Sequence, residues 1–532
     1  MDCTTQYIDY RQTGYFSALV TDYISGEKLL QPFYKHPVSL AGIKAAIEAR
    51  KKYPTNRKLL VEALTKQYAT VTTSDKVKAN IDKLLLENTF TITTAHQPNI
   101  LTGPLYFIYK ILHAAKLAEL LAAEMHDSNF VPVYYMGSED ADLDELGHVF
   151  INGEKQQWQT KQTGAVGRMK VDKALIKLID AIAGQVTVQP FGQAIIDVMK
   201  DCYKEGATIE QATFKLVNEL FAAYGLIVLL PDSPLLKKAF IPVIEKELTE
   251  AFSNKIVEAT VAAFPKKYKV QASGREINIF YLLDDKRERV EIQNSKFKIN
   301  NTEIAFDAVA IQKELNEHPE RFSPNVILRP VFQELALPNI AFIGGGGELA
   351  YWMELKNVFE AVGVPYPVLV LRNSFLFVEN NTAALAARLG FGITGLFKNE
   401  TELLNELVKN ETAVQLNLEK EKQALTTFYE QLKSISAAVD ATLTGHTAAL
   451  QVQALKKLAA LEKKMLRAEK KKFDAQQRQL HKLKTVLFPA DNLQERIDNL
   501  IPYYAKWGSD FIATIYNNSK GLEQVFGIVE SK

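Results

Sequence analysis

Apolar and polar positions in the middle of the chain alternate in a way that predicts strands joined by helices. Residues 89–95 are mostly β-branched and aromatic, which is typical of a buried strand. After a turn, apolar residues recur at steps of three and four from Leu105 to Ala115, which predicts a helix with one apolar face. Residues 131–136 predict the next strand. Such a β–turn–α–β unit places its first turn at the carboxyl edge of a parallel sheet, where open α/β sheets bind ligands.

Further strand-like segments indicate that the same sheet continues, with insertions between its strands. They lie at residues 225–230, 340–343 and 367–371. Polar or alternating stretches at about 150–220 and 255–320 predict two insertions, which are common in doubly wound folds. We therefore expect an α/β fold with a parallel-sheet core over residues 89–400. A helical segment, residues 1–88, is expected to pack on this core.

A helical region is expected to follow the core, over residues 401–532. Apolar residues recur near heptad spacing from Leu425 to Leu443, and a second apolar series runs from Leu455 to Phe473. Together they predict an antiparallel helical hairpin with its turn at Gly445. The second helix is rich in Lys and Arg. That composition is compatible with nucleic-acid binding but is more typical of the solvated face of a coiled coil, which we favour.

Composition narrows the class of protein further. Of the 532 residues, 47% are hydrophobic and 23% are charged, with 63 Lys and Arg against 62 Asp and Glu. This balance predicts a folded protein without a general attraction to nucleic acid or membrane. Apolar runs are too short for a membrane span and the first residues do not resemble a signal peptide, so we expect a cytoplasmic protein. Cys3 and Cys202 alone cannot form a disulfide framework or a cysteine zinc site.

The turn after the first predicted strand carries polar residues at the expected ligand edge. His96 and Gln97 end the strand, and Thr102, Gly103 and Tyr106 lead into the helix. Backbone N–H groups at the start of a helix favour anions such as phosphate. The turn is therefore expected to bind a nucleotide or another anion.

Five carboxylates follow the second predicted strand, namely Glu139, Asp140, Asp142, Asp144 and Glu145. A calcium loop is excluded because Glu145 stands where that loop requires glycine. The acids could open a helix, where carboxylates suit the positive end of the dipole, or they could bind an ammonium group or Mg²⁺. Glu139 and Asp140 lie nearest the sheet edge and are the stronger candidates for binding.

A third group of residues follows the predicted strand at 340–343. Four glycines, Gly344–Gly347, lead into a helix with an apolar face, and the Lys-Ser/Thr pair of a phosphate-binding P-loop is absent. Four glycines at such a turn indicate close approach of the backbone to a ligand. Arg329 and Arg372, each beside a predicted strand, are candidates for binding a carboxylate or phosphate.

Several of these motifs, in this order, resemble the bacillithiol synthase family, which contains the cysteine-adding enzyme of bacillithiol biosynthesis. The motifs are Thr102–Tyr106, Glu139-Asp140-x-Asp142 with Glu145 and His148, Leu328-Arg329-Pro330-x-x-Gln333 leading into Gly346–Trp352, and Leu487–Pro489 with Leu493–Arg496. The sequence departs from the family in one place: Ala95-His96-Gln97 stands where Gly-Gln-Gln is usual. The His-x-Gly-His signature of nucleotidyl-transferring relatives is also incomplete, with Thr102-Gly103-Pro104 where Gly-His would be expected.

The resemblance implies a Rossmann-like core related to class I aminoacyl-tRNA synthetases and nucleotidylyltransferases. It also implies two connecting-peptide insertions and a C-terminal coiled coil that forms a homodimer. The implied activity is a ligase that adds L-cysteine to glucosaminyl-malate. Amide formation from a free carboxylate requires activation, most simply by ATP, either as an adenylate or as an acyl phosphate.

With this activity in view, we assign the candidate residues to three roles. Expected catalytic residues are His96, Lys110, Glu139 and Asp140. Expected nucleotide-binding residues are Gln97, Thr102, Gly103, Tyr106, Gly345 and Gly346. Expected substrate-binding residues are Asp142, Arg329, Glu348, Tyr351, Trp352 and Arg372. No side chain is assigned as a metal ligand. ATP is the expected cofactor, and Mg²⁺ is a further candidate. A nucleotidylyltransferase acting on another small molecule and a non-catalytic coiled-coil scaffold are the alternatives.

Overall fold

The structure, a computed structural model, describes residues 1–272 and 274–532. The chain forms two compact units, residues 1–377 with 492–531, and residues 378–491 with Lys532. The division of the chain at residues 88 and 400 that the sequence suggests stays a prediction.

Strands and helices follow one another along most of the described chain. The strands are β1 (Cys3–Ile8), β2 (Thr89–His96), β3 (Asn129–Met136), β4 (His148–Ile151), β5 (Glu154–Gln157), β6 (Ile227–Leu229), β7 (Ile279–Leu282), β8 (Arg287–Gln293), β9 (Lys296–Ile299), β10 (Ala305–Phe306), β11 (Phe322–Pro324), β12 (Asn339–Gly344), β13 (Val368–Leu371), β14 (Ser374–Val378) and β15 (Phe526–Ser531). The α-helices up to the glycine-rich segment are α1 (Tyr10–Thr13), α2 (Ala18–Ile24), α3 (Leu40–Lys51), α4 (Arg57–Tyr68), α5 (Asp75–Lys83), α6 (Tyr106–Glu124), α7 (Leu143–Leu146), α8 (Lys173–Val186), α9 (Gly192–Cys202), α10 (Ile209–Phe221), α11 (Pro234–Glu250), α12 (Phe252–Ala263), α13 (Ala308–Glu317), α14 (Arg329–Ala336) and α15 (Gly346–Val362). The later helices are α16 (Asn380–Arg388), α17 (Glu400–Glu411), α18 (Glu419–Val439), α19 (Leu443–Lys470), α20 (Asp474–Leu487), α21 (Gln494–Ile497), α22 (Leu500–Trp507) and α23 (Ser509–Asn518).

A parallel sheet forms the centre of the first unit and confirms the predicted Rossmann-like core. Its strand order is β13-β12-β2-β3-β6, and each neighbouring pair is parallel. Every residue of β2 is buried, because both faces of the central strand are covered. One core joins apolar side chains of β2 and β12 to helices α3 and α6. The strands predicted at 89–95, 131–136, 225–230, 340–343 and 367–371 are all present.

Two insertions interrupt this sheet, as expected. The connection between β3 and β6 contains the β4–β5 hairpin and α7–α10, with a core of its own around Trp158, Ile179 and Met199. The connection between β6 and β12 contains α11–α14 and an antiparallel sheet of order β10-β9-β8-β7-β11. This second sheet brings its own side chains to the site described below.

The N-terminal segment contains the expected helices α1–α5 and also a strand that the sequence did not predict. Strand β1 pairs with β15, so that Cys3 lies opposite Ser531 and Ile8 opposite Phe526. The prediction of a helical segment did not include this strand, because the partner strand lies at the other end of the chain. Local periodicity carries no information about such a partner.

The second unit contains the predicted helical hairpin, formed by α18 and α19. Lys422 Nζ lies 2.8 Å from Glu462 Oε2, and the hydroxyls of Ser436 and Thr447 are 3.0 Å apart, so the helices run antiparallel. The prediction of a turn at Gly445 was wrong, since Gly445 lies inside α19. The turn comes earlier because the Asp440 carboxylate accepts hydrogen bonds from the Thr442 N–H and hydroxyl.

Within the described residues, we find no helix that combines the length and the apolar composition needed to cross a bilayer.

Candidate active site

A cavity of about 900 Å³ lies at the carboxyl edge of the parallel sheet. Residues at the carboxyl ends of all five core strands contribute to its wall: Ala95, Gly137, Pro231, Gly345 and Arg372. Most predicted site residues also line it: His96, Gln97, Tyr106, Lys110, Glu139, Asp140, Arg329, Gly345, Gly346, Glu348, Tyr351 and Arg372. The structure therefore brings together residues that are far apart in sequence, at the edge where ligands bind in open α/β sheets.

Thr102 and Gly103 were expected to bind a nucleotide, but the structure places them in a buried turn beside the cavity. Asn499 Nδ2 donates hydrogen bonds to the carbonyls of Leu101 and Gly103, at 2.8 and 2.6 Å. The N–H of Leu105, just before α6, donates to the Asp498 carbonyl at 2.8 Å. The Leu105 N–H, one of the groups that were expected to face an anion, is therefore already used, and the turn supports α6 without lining the cavity.

Trp352 and Asp142 also lie outside the cavity wall. Trp352 is fully buried and stacks on Phe342, with ring centres 4.2 Å apart. Asp142 caps α7, and its Oδ1 accepts a hydrogen bond from the Glu145 N–H at 3.1 Å. The helix-opening interpretation of the acidic cluster is therefore confirmed for Asp142.

His96 is buried against aromatic rings at the end of β2. Its ring centre lies 5.3 Å from those of Tyr106 and Phe107. Burial, and then the charges of Lys110 and Arg372, hold the pKa of His96 well below its ordinary value. Nε2 of His96 has no hydrogen-bond partner among the described residues. His96 lines the cavity, and a turn of its ring would let this buried nitrogen form a hydrogen bond with a ligand.

The glycine loop, Gly344–Gly347, leads from β12 into α15 on the next wall. The Gly345 N–H donates to Glu348 Oε2 at 2.8 Å. The same carboxylate pairs with Lys110, whose Nζ also donates to the Ala95 carbonyl at 2.9 Å. The N–H groups of the first helical turn have no partner within the helix, so this wall suits an anion.

The glycine loop offers a direct test of ligand binding. A Cβ at Gly346 would lie 2.7 Å from Cγ2 of Val20, whereas a Cβ at Gly347 would meet no described atom within 4 Å. We expect Gly347→Val to block ligand binding with little change in melting temperature, because the new side chain enters open space on the cavity wall.

The matched variant Gly346→Val is expected to destabilise the fold by about 1–3 kcal/mol, because it overpacks against Val20. From the sequence alone, Gly346→Val would be expected to remove binding with little effect on stability, and the close approach to Val20 leads us to expect the opposite for stability. Calorimetry with ATP and thermal unfolding check both variants. Wild-type affinity in Gly347→Val would contradict a ligand at this loop.

Two predicted arginines hold different contacts at the cavity. Arg372 is buried, and its guanidinium donates to Glu495 Oε1 at 2.7 Å and to Ser374 Oγ at 2.9 Å. Arg329 donates to the Tyr351 hydroxyl at 2.9 Å. Arg329 forms no ion pair in the part of the chain that the structure describes. Its positive charge is therefore available to a ligand.

The carboxylates after β3 divide into two groups. Glu139 is buried and pairs with Lys237, which also lies 3.1 Å from Asp232. Asp140 instead accepts hydrogen bonds from Gln97 Nε2 at 3.2 Å and from the Asp142 N–H at 3.3 Å. Because Glu139 is already neutralised, Asp140 is the better candidate for binding an ammonium group.

Glu145 also lines the cavity, although the sequence favoured a helix-opening role for it. Burial, together with repulsion from Asp142 and Asp140, raises the pKa of Glu145. Neither Asp140 nor Glu145 forms an ion pair with a described cation. We call these two residues the acidic corner. It would stabilise a positively charged group of a ligand.

Several cavity residues were missed by sequence reasoning. They are Tyr135, Gln271, Arg275, Phe280, Arg287, Arg289, Asn325 and Arg496. Two signals were available: Arg496 belongs to the motif Leu493–Arg496, and the alternation Arg287-x-Arg289 in a strand-like segment places both side chains on one face. Nothing in the sequence showed that this face would meet the edge of the other sheet.

A metal centre built only from protein side chains is not evident. Over residues 1–272 and 274–532, no group of three or more His, Cys, Asp or Glu side chains is arranged to hold a metal ion. The expectation that Mg²⁺ acts here therefore stays a prediction.

Glu210, close to the Glu139 network, predicts a measurable pH dependence of stability. Burial, and repulsion from Asp232 and Glu139, raises the pKa of Glu210 to about 8. A carboxyl with a raised pKa in the folded state binds its proton more tightly than in the unfolded state. Its contribution to stability is complete below about pH 4.5 and is lost as the pH rises through 8.

Wild type should lose unfolding free energy between pH 5 and pH 8. We expect Glu210→Gln to lose about 2 kcal/mol less over the same range, a figure that allows for partial screening by solvent. Urea unfolding at the two pH values measures it. Glu205→Gln, at an exposed position nearby, is the control. Equal pH dependence in wild type and Glu210→Gln would refute the assignment.

The chain was compared with protein families, curated proteins and solved structures. A family model described as "Bacillithiol biosynthesis BshC, N-terminal Rossmann-like domain" matches residues 2–373, and one described as "Bacillithiol biosynthesis BshC, C-terminal coiled-coil domain" matches residues 375–531. A solved "putative arginyl t-RNA synthetase" from Campylobacter jejuni is 10% identical and covers 85% of this chain and 100% of its own, with a TM-score of 0.23. A score this low bears on neither fold nor activity.

Curated relatives named "Putative cysteine ligase BshC" match nearly the whole chain. The protein from Flavobacterium johnsoniae is 38% identical over 99% of both chains. That from Flavobacterium psychrophilum is 37% identical, again over 99% of both chains. A relative from Bacillus cereus is 27% identical over 94% of this chain and 95% of its own. These matches confirm the resemblance found from the motifs, and the chain belongs to the bacillithiol biosynthesis BshC family.

Proposed function

We propose that the protein is an ATP-dependent ligase that joins the carboxyl group of L-cysteine to the amine of glucosaminyl-malate. The cavity carries the proposal, because it combines unpaired arginines for anions with the acidic corner for an amine. The family supplies the chemistry, since the curated relatives are named as cysteine ligases.

The wall around the glycine loop fits a nucleotide. ATP would supply the activation that amide formation from a free carboxylate requires. The first N–H groups of α15 would bind phosphate oxygens, and His96 Nε2 would donate or accept one further hydrogen bond. Lys110, Arg329 and Arg372 would stabilise negative charge that develops during the reaction. If Mg²⁺ takes part, it would be held mainly by the phosphates with one or two carboxylates of the cavity.

The acidic corner would act on the amine. An ammonium group cannot attack a carboxyl carbon, so it must lose a proton first. Asp140 or Glu145 would bind the ammonium form and accept that proton. The raised pKa of Glu145 favours proton uptake at this position. Glu139 would contribute indirectly, through its ion pair with Lys237.

One reaction tests the proposal against its alternatives. The protein is incubated with cysteine, glucosaminyl-malate and ATP, and the products are analysed by mass spectrometry. The amide is expected, and its formation should require ATP. AMP as co-product indicates an adenylate, and ADP indicates an acyl phosphate. A nucleotidylated small molecule without amide would indicate a nucleotidylyltransferase, and no turnover with any substrate would favour a scaffold.

We also propose that the protein is a cytoplasmic homodimer, with the α18–α19 hairpin as its interface. Helix α18 has no buried residue, and Phe428, Ile435 and Val439 are 52%, 64% and 79% exposed. Apolar side chains on one long helix suit a second copy of the same hairpin. The cytoplasm supplies both cysteine and ATP.

The dimer is expected to dissociate in the double variant Phe428→Glu/Ile435→Glu, because each new carboxylate would lose its hydration in the interface. Sedimentation velocity measures the oligomeric state. Gln423→Glu adds one charge at an exposed position on a different face of the same helix and is the control. Truncation near residue 405 is unsuitable, since it would remove β15 from its pairing with β1. An intact dimer in the double variant would contradict the proposed interface.

A further inference from the structure

The antiparallel sheet of the second insertion contributes a basic surface to the cavity. Arg287 and Arg289 lie on β8, and Phe280 lies on the neighbouring strand β7. None of these residues belongs to the Rossmann-like core or to the motifs that identify the family. Their position on the cavity wall therefore calls for a separate explanation.

The geometry of the two strands sets both guanidinium groups on one face. Phe280 is the cross-strand partner of Arg289, so the two side chains share a face of the sheet. Arg287 lies two residues earlier on the same strand, about 7 Å away along it. The Arg287 guanidinium is 3.9 Å from the centre of the Phe280 ring, and that of Arg289 is 6.0 Å away. Phe280 thus supports both arginines.

Neither guanidinium group of this arginine pair has a carboxylate within ion-pair distance among the described residues, although Asp140 and Glu139 act on Arg287 from farther away. Arg287 donates only long hydrogen bonds, at 3.4 Å to Ser323 Oγ and 3.3 Å to the Pro324 carbonyl. Neither arginine forms an ion pair with any described carboxylate. Burial lowers the pKa of Arg287, and the charges of Asp140 and Glu139 oppose this shift only in part. An anionic ligand at contact distance would stabilise the cation further.

We propose that Arg287 and Arg289 form a subsite for a dicarboxylate, one carboxylate bound by each guanidinium group. Within the proposed function, on which this inference rests, the ligand is the malyl part of the amine-bearing substrate. Two separate guanidinium groups on one strand face, both beside Phe280, can each bind one carboxylate of a four-carbon acid, whereas a single phosphate offers only one anionic centre.

The subsite also orients the rest of that substrate. Arg287 interacts electrostatically with Asp140, so the arginine pair and the acidic corner belong to the same part of the cavity. A substrate that places its carboxylates on the arginine pair would bring its amine toward Asp140. Arg287 and Arg289 therefore select an acceptor that carries both an amine and a dicarboxylate.

Binding of L-malate to the full-length protein tests the subsite without requiring catalysis. We expect calorimetry to show malate binding to wild type, weakened about ten- to a hundredfold in Arg287→Gln and in Arg289→Gln. Lys298→Gln removes the same charge from an exposed position of the same sheet and should bind malate normally. ATP affinity should stay within about twofold of wild type in all three variants.

Three results would overturn the inference. They are no malate binding to wild type, undiminished malate binding in both arginine variants, and a loss of ATP affinity as large as the loss of malate affinity. The last result would assign the arginines to phosphate.

A kinetic comparison separates this inference from the proposed function. Arg287→Gln should raise KM for glucosaminyl-malate about tenfold or more and leave kinetics with methyl glucosaminide unchanged. An equal effect on both acceptors would overturn the subsite. If wild type forms no amide from either acceptor, the proposed function fails, and malate binding still decides the subsite.

Discussion

Replacing Asp140 by asparagine is expected to lower kcat/KM for the amine-bearing substrate by about ten- to a hundredfold. A substrate ammonium against a desolvated carboxylate contributes about 1.5–3 kcal/mol, and asparagine removes the charge without changing the size of the side chain. The amide oxygen of asparagine can still accept the hydrogen bond from Gln97 or from the Asp142 N–H. The melting temperature should therefore change little.

Asp144→Asn is the matched control, because Asp144 is exposed, lies four residues away and is outside the cavity wall. It should have wild-type activity. The pH dependence of activity gives an independent readout. Asp140 helps to raise the pKa of Glu145. In Asp140→Asn, the change in activity that follows the ionisation of Glu145 should therefore occur at lower pH. Full activity of Asp140→Asn in the cysteine-adding assay would end the proposal that Asp140 binds the amine.

The location of the cavity could be predicted because it follows from a rule about parallel sheets. Each core strand has a continuous apolar or β-branched sequence that ends in polar residues, and these ends must meet at one edge. Gln97, Asp140, Gly345 and Arg372 are all such strand-end residues, and they line one cavity. Local sequence was sufficient for these residues because their position depends mainly on the direction of the strand.

The insertion and the C-terminal segment could not be positioned in the same way. Arg287 and Arg289 reach the cavity only because the second insertion folds over the sheet edge, and Arg496 reaches it from a segment that returns to the first unit. These placements depend on tertiary contacts such as the Glu495–Arg372 ion pair. A strand pattern predicts which residues share a face but not what that face contacts.

Residues that follow a predicted ligand-binding turn were the least reliable predictions. Trp352 lies on α15, only a few residues after the glycine loop, but the helix periodicity turns it toward Phe342 and Phe359 in the core. Thr102 adopts a φ of 74° in a turn held by Asn499, almost 400 residues away in sequence. Nearness in sequence to a site therefore did not establish contact with it.

Arg50 and Arg329 differ in whether their charge is paired with a carboxylate, and this difference provides the strongest test of their roles. Arg50 is buried, and its guanidinium donates to Glu334 Oε2 at 2.9 Å and to the carbonyls of Glu334 and Asn339 at 2.8 and 2.9 Å. Arg329, on the cavity wall, lacks an ion-pair partner among the described carboxylates. We interpret Arg50 as a structural residue and Arg329 as a ligand-binding one.

Arg50→Met is expected to lower the free energy of unfolding by about 3–5 kcal/mol, because it leaves the Glu334 carboxylate buried without its cation. Arg329→Met removes a charge of the same kind and should leave stability unchanged or slightly higher, while nucleotide binding weakens. Urea unfolding and calorimetry with ATP measure the two properties. Equal destabilisation by both substitutions would contradict the distinction between them.

The loss of unfolding free energy caused by Arg50→Met, which we call the deficit, should also increase with pH. Burial raises the pKa of Glu334 to about 7 even though Arg50 opposes the shift, so removing Arg50 must raise it further. Below about pH 6 the carboxyl is mostly protonated in both proteins, so the deficit should be smaller and come from the hydrogen bonds that the carbonyls of Glu334 and Asn339 no longer accept. As the pH rises through 7, wild type gains an ion pair that the variant cannot form, and the deficit should grow. Adding Glu334→Gln to Arg50→Met removes the unpaired carboxylate, so the double variant should recover stability at pH 8 and lose this pH dependence.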